Sequence, residues 1–272
     1  MNIITRIFNL IFLPFRCINP MYGLVFVSFI TGIVFLIIFR YTSNQEAIKR
    51  VKNLIKAYFL EIRLYKDNLG VLLRAIIKTD LNILNYLRYF MIPMLIVIIP
   101  LILIAVQLEV RYEYRPLKSG EKTILTVQLK NAVPDIDKPV TLILPDGIVM
   151  DSKPVRVASN KTISWRLKAL KQGTYNANIE VEGESVYKEI VVSNRLVPLS
   201  TSRTAANLKN YVLNPVEPFL PGSLDISSIS VIYPKGELPF NIFGWSHFWV
   251  IVFFVLSMLF GFAFKGIFKV QI

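Results

Sequence analysis

The sequence predicts an α-helical membrane protein carrying a β domain. It has three spans with the N-terminus out and the C-terminus in, a cytoplasmic antiparallel helical hairpin and an external immunoglobulin-like β-sandwich. Three observations predict this. Hydrophobic residues make up 54% of the 272 and charged residues only 18%, with a mean hydropathy of +0.51, above the balance of soluble globular domains. Three uncharged stretches reach the ~20 residues that crossing roughly 30 Å of hydrocarbon requires. Between the second and third of them the hydrophobic period changes to two, the period of strands.

The first element, 1–16, is an outer interfacial amphipathic helix. Asn2, Thr5, Arg6 and Asn9 form a polar stripe along an otherwise apolar segment that Pro14 ends, the pattern of a helix lying in the membrane surface. No small-residue cleavage site follows the first span, so no removable signal peptide is expected.

The spans are 21–39, 89–106 and 245–264. Their orientation follows from the basic residues of short loops. Segment 40–88 holds ten (Arg40, Lys49, Arg50, Lys52, Lys56, Arg63, Lys66, Arg74, Lys78 and Arg88) against Glu46, Glu61, Asp67 and Asp80. The tail, 265–272, adds Lys265 and Lys269, while Arg6 and Arg16 oppose them from the N-terminus. The basic side is therefore cytoplasmic, and 107–244 lies outside. The overall charge of +13 reads as this orientation signal, not as a DNA-binding surface.

Residues 43–87 read as the hairpin. Ser43 and Glu46 suit a capping box. Ile48, Val51, Ile55, Tyr58, Ile62 and Tyr65 recur at helical spacing, Asp67-Asn68-Leu69-Gly70 turns the chain, and Leu72/Leu73, Ile76/Ile77, Leu81, Leu84 and Leu87 form the facing seam. Lys49, Arg50, Lys52, Lys56 and Arg63 are left as a contact surface for a partner.

Segment 109–198 reads as the β-sandwich. Its strands are expected at Glu109–Arg115, Lys122–Lys130, Val140–Leu144, Pro154–Val157, Thr162–Lys168, Tyr175–Val181 and Val186–Val192, with Trp165 pointing inward. Asp135, Asp137, Asp146 and Asp151 sit in turns, where turn geometry or a calcium ion would account for them. Segment 199–244, rich in proline, reads as an irregular linker with one strand at Ile226–Ile232.

Motifs of catalysis are absent. No Gly-rich phosphate loop, HExxH, GxSxG or CxxC occurs. Cys17 is the one cysteine and His247 the one histidine, so the reading is non-enzymatic, without catalytic residues, metal or cofactor. His247 is expected to anchor the outer interface beside Trp245 and Trp249. Within the spans, Ser28, Thr31 and Gly32 share one face, and Ser257 with Gly261 makes a small-xxx-small step. Two uses are open for them: close helix packing, or a shallow polar groove with Thr31 toward a substrate and position 36 toward lipid.

The order of the first ninety residues carries a resemblance. An outer interfacial helix precedes a span reading Tyr22-Gly23-Leu24-Val25-Phe26-Val27. That span leads into Ser43-Asn44-Gln45-Glu46-Ala47-Ile48-Lys49-Arg50-Val51-Lys52, the basic hairpin and a second span. The chain thus resembles the YidC/Oxa membrane-protein insertase superfamily over about 1–106, in particular its three-span members of archaea and the endoplasmic reticulum. The resemblance implies a groove of Ser28, Thr31, Gly32 and Ser257 that receives substrate helices. Thr31-Gly32 stands near the depth where bacterial members carry an arginine. It also implies a hairpin that meets nascent membrane proteins or the ribosome. The membrane is expected to be a bacterial inner membrane, with the β domain outside the cytoplasm. The other class of function is a membrane-anchored structural or adaptor protein whose external sandwich binds a partner.

Overall fold

The computed structural model describes residues 3–15, 18–130, 140–181, 183–207, 210, 215–236, 238, 247–268 and 270. Asn2, Arg16, Cys17, Asp135, Asp137, Trp245 and Lys269, named above, lie outside them. Among the described residues the α-helices are α1 (Ile3–Phe12), α2 (Pro20–Thr42), α3 (Gln45–Leu64), α4 (Leu69–Tyr112) and α5 (Phe248–Phe264). Of these, α2 and α4 are long and apolar enough to cross a membrane, and α5 is an apolar helix of 17 residues. Two compact units divide the chain: Met1–Gly23 with Ala105–Trp249, and Leu24–Ile104 with Val250–Ile272.

The first unit is built on two antiparallel sheets. The strands are β1 (Lys122–Leu129), β2 (Thr141–Ile143), β3 (Ile148–Met150), β4 (Val155–Val157), β5 (Thr162–Ala169), β6 (Gly173–Val181), β7 (Glu184–Val192), β8 (Ser202–Thr204) and β9 (Ile226–Val231), and the long β1, β5 and β6 alternate in burial as strands with one core face should. One sheet runs β3-β5-β1-β9-β8, with β4 also on β5, and the other runs β2-β6-β7. Leu125, Val127, Ile163, Trp165, Leu167 and Ile229 of the larger sheet share one core with Ala177, Ile179, Val186 and Ile190 of the smaller. Gly147 turns the chain into β3 at φ +119°, under the ring of Tyr175, where a Cβ would collide.

Two readings of this unit change. Glu109–Arg115 alternates like a strand, yet α4 continues to Tyr112, because extending an existing helix needs no new nucleus. Only Tyr114 makes a β-bridge, to Lys235. Segment 199–244, expected as an irregular linker with one strand at Ile226–Ile232, carries that strand as β9 and adds β8, and β9 sits inside the larger sheet between β1 and β8. Leaving β1 without that neighbour would bury unpaired backbone groups.

The segment after β8 is tied down by ions. The Lys188 ammonium, fully buried on β7, donates to Glu217 and to the Ser200 carbonyl at 2.7 Å. Glu217 in turn accepts from the Glu189 amide at 2.8 Å. Burial pushes the Lys188 ammonium down. Burial, then the Glu217 charge, pushes the Glu189 carboxyl up.

Helix α1 in this unit has its polarity inverted. Thr5 is buried and accepts from Gln107 Nε2 at 3.1 Å, and Asn9 accepts from the Arg111 guanidinium at 2.6 Å. Arg111 lies 5.1 Å over the ring of Phe12. Ile7 and Leu10 are exposed instead, at 52% and 72%. Of the stripe expected to face headgroups, Thr5 and Asn9 face α4, since a buried guanidinium requires acceptors, while Arg6 stays exposed.

The second unit is helical. Asn44, not Ser43, caps α3, its Oδ1 accepting the Ala47 amide at 3.0 Å. The Ser43 hydroxyl turns back to the Phe39 carbonyl at 2.6 Å. Helices α3 and α4 are joined by the short turn at 65–68, with Asn68 Oδ1 receiving the Val71 amide at 3.3 Å. Ile48 and Val51 of the expected α3 seam are buried, and Lys78 of α4 stacks 5.5 Å over Tyr58. On α4, however, Ala75 and Thr79 are buried, whereas Leu73, Ile77, Leu81 and Leu84 are exposed by more than half. The seam expected there is the outward face. Second limb and second span are one continuous helix of 44 residues, about 66 Å at 1.5 Å per residue. Phe39, Ile48, Tyr86, Phe90 and Phe264 gather where α2, α3, α4 and α5 meet.

Candidate functional site

The helices of the second unit enclose one marked cleft. Gly32, Phe35, Leu36 and Phe39 of α2, Phe90, Met94 and Val97 of α4, and Phe254, Val255, Ser257, Met258, Gly261 and Phe262 of α5 line a cavity of about 550 Å³, within the range of ligand pockets. Its floor is a close helix contact. A Cβ on Gly32 would stand 2.7 Å from the Ser257 carbonyl oxygen and 3.2 Å from the Gly261 amide nitrogen, so only glycine permits this approach. Edge-on rings of Phe29 and Phe260, centroids 5.3 Å apart, extend the contact.

Of the residues expected to form a groove, Gly32 and Ser257 are brought together in this lining. Ser28 and Thr31 are not part of it. Both are fully buried, and their hydroxyls donate to the carbonyls of Leu24 and Val27, each at 2.8 Å. A hydroxyl in apolar surroundings finds its acceptor one helical turn back when none other is near. Leu36, expected toward lipid, is 3% exposed and lines the cavity. Ser257 differs from the other two: it is 5% exposed and its hydroxyl finds no hydrogen-bond partner among the described residues. Buried polar atoms are nearly always paired, and this hydroxyl, closed off at the contact of α2 and α5, is an exception among the described residues.

The phenylalanines and methionines of the wall were not singled out from the sequence, where they merge into apolar runs. Their one local signal is density: Phe35 and Phe39 are four residues apart, as are Phe90 and Met94, and Phe254 and Met258, the spacing of one helix face. Met supplies side chains that repack around varied apolar shapes.

The other expected site, Lys49, Arg50, Lys56 and Arg63, lies exposed on α3, and Lys52 is half-buried there. Lys49 and Arg50 point away from Ile48 and Val51, whereas Lys52, four residues after Ile48, lies beside that buried face, as helical spacing requires.

No group of His, Cys, Asp and Glu suited to a metal occurs among the described residues. Asp151 is instead held by Lys122 at 3.1 Å and Arg166 at 2.7 Å, and the Lys122 hydrogen bond foremost keeps its carboxyl below the usual range. His247 pairs with an acidic side chain. Its Nδ1 lies 2.8 Å from the buried Glu113 carboxylate, which also accepts from Trp249 Nε1 at 3.0 Å. Set beside known protein families, curated proteins and solved structures, the chain matches none of them.

Proposed function

We propose that the protein is a non-enzymatic membrane-protein biogenesis factor, insertase- or chaperone-like, whose apolar cleft receives an apolar helix of a membrane-protein substrate. One observation carries this reading: a cavity of about 550 Å³ walled by Phe and Met side chains of three helices. Such a wall suits the apolar face of a substrate helix, whose backbone polar groups are satisfied within the helix itself. Helix α5 serves as the third span in this reading, with N-out and C-in orientation in a bacterial inner membrane. The basic face of α3 then meets substrates or ribosomes in the cytoplasm. The two sheets are an immunoglobulin-like sandwich outside it, free to take a protein partner of its own.

The second reading is a membrane-anchored adaptor. The internal hydrogen bonds of Ser28 and Thr31 favour it, because they leave the cleft less polar than a hydrated groove would be.

Site-specific photo-crosslinking separates the two. Met94 lines the cleft and Leu95 does not, although they are similarly exposed at 57% and 59%. A crosslinker at position 94 is expected to capture nascent membrane proteins during translation, and one at 95 to capture lipid. Capture at 94 of a single partner, unchanged when translation stops, overturns the biogenesis reading in favour of the adaptor.

A further inference from the structure

The part of α4 that precedes its span carries an outward apolar face. Ala75 and Thr79 are buried on the other side of the helix, while Leu73, Ile76, Ile77, Leu81, Ile83 and Leu84 are exposed by 37–62%. In the middle of this face stands Asp80. Its neighbours one turn away in both directions are Ile76, Ile77, Ile83 and Leu84, the four positions that adjoin a residue on a helix surface. Asp80 is itself exposed, and no hydrogen bond or ion pair reaches its carboxylate among the described residues. The cations of the same limb stand elsewhere: Lys78 lies over the ring of Tyr58, and Arg74 and Arg88 are six and eight residues from Asp80.

Two occupants of this face are disfavoured on physical grounds. Lipid does not reach it. Helix α4 runs unbroken from Ile77 to Tyr89, where its apolar span begins, a rise of about 18 Å, or about 14 Å at a tilt of 40°. The headgroup layer adds only about 5–8 Å to each side of the hydrocarbon, so Ile77 and Leu73 stand in water. A second copy meets the face badly. Two copies inserted the same way pair it isologously, which sets Asp80 against Asp80, like charges within an apolar contact.

We infer that this face docks an amphipathic helix of another protein, whose apolar side carries one lysine or arginine against Asp80. Burial of the exposed leucines and isoleucines holds the helix, as in other helix-in-groove contacts. The ion pair, ringed by apolar side chains, fixes its register, as single polar groups do in helix seams. Arg74 and Arg88 flank the face and repel a helix that is basic all round, so one cation among apolar and acidic residues is the pattern that fits. The site stands independently of what the helical cleft receives.

The test places a photo-crosslinker at position 77 of the full chain in phosphatidylcholine liposomes. The probe is a helical peptide of about 18 residues, five turns, with a leucine face bearing one central lysine and glutamates opposite. A second peptide has glutamine in place of that lysine. Capture of the lysine peptide is expected to exceed that of the glutamine peptide by about tenfold. Asp80→Asn should remove this difference while leaving the weaker capture in place, and Asp80→Lys should turn the preference to a peptide with glutamate at that point. Equal capture of the lysine and glutamine peptides, a preference unchanged in Asp80→Asn, or adducts at 77 with lipid or a second copy alone overturns the proposal.

Discussion

Lys188 shows how much of this protein a single residue decides. Its strand alternates Val186, Lys188, Ile190, which points a lysine straight into the core. The geometry is tolerable only because Glu217, Ser200 and the Glu189 amide close a network around it. Removing one partner of a buried pair leaves an uncompensated charge, at a cost of about 3–5 kcal/mol. Lys188→Ala is therefore expected to lower the urea midpoint of the β unit strongly. The double variant Lys188→Met/Glu217→Leu should recover most of the loss, because apolar pairs of similar volume replace buried ion pairs well. Tryptophan fluorescence, with Trp165 in the core, reads the transition, and an unchanged midpoint for Lys188→Ala refutes the network. Half of this was legible in the sequence. The inward position of Lys188 follows from strand alternation. Its partner does not, since Glu217 stands in a proline-rich stretch without period, where no local rule says which side chain turns inward.

The hairpin of α3 and α4 makes the corresponding point for elements. Its limbs and turn could be read from spacing, and so could the buried face of α3. The buried face of α4 could not. Leucines and isoleucines at 72, 73, 76, 77, 81 and 84 cover more than one stripe of the helix, so periodicity does not choose among them. The chain resolves the ambiguity with small residues, Ala75 and Thr79, which allow close approach, and turns the larger ones outward. Ala75→Asp should accordingly open the hairpin to limited proteolysis, since an unpaired carboxylate would have to be buried there. Ile77→Asp should leave the protease pattern as it is. The opposite result restores the seam expected from the sequence. The cleft was legible to the same degree. Gly32 and Ser257 stand out as small residues in apolar spans, but Ser28 and Thr31, equally conspicuous, turn out to satisfy themselves within α2. A hydroxyl's choice between its own helix and a cavity depends on neighbours that are distant in sequence.

At the scale of the molecule, the charge bias of 40–88, taken with the proposed use of α5 as a third span, predicts opposite sides of the membrane for the hairpin and the sheets. With Cys17 replaced by serine, an impermeant thiol reagent applied to intact cells should label a cysteine at position 160 and spare one at position 66. Labelling at 66 instead inverts the topology. The discontinuity of the first unit carries a further consequence, one of timing. Thr5 and Asn9 await Gln107 and Arg111, which are each 102 residues further along, and β1 pairs through Leu125 with Val231 of β9. At about 5–20 residues per second of synthesis, the first helix must wait several seconds or more for its acceptors and donors. β1 waits a comparable time for its inner neighbour. A chain released before Arg111 would keep α1 undocked, and one released before Val231 would leave one edge of the central strand open.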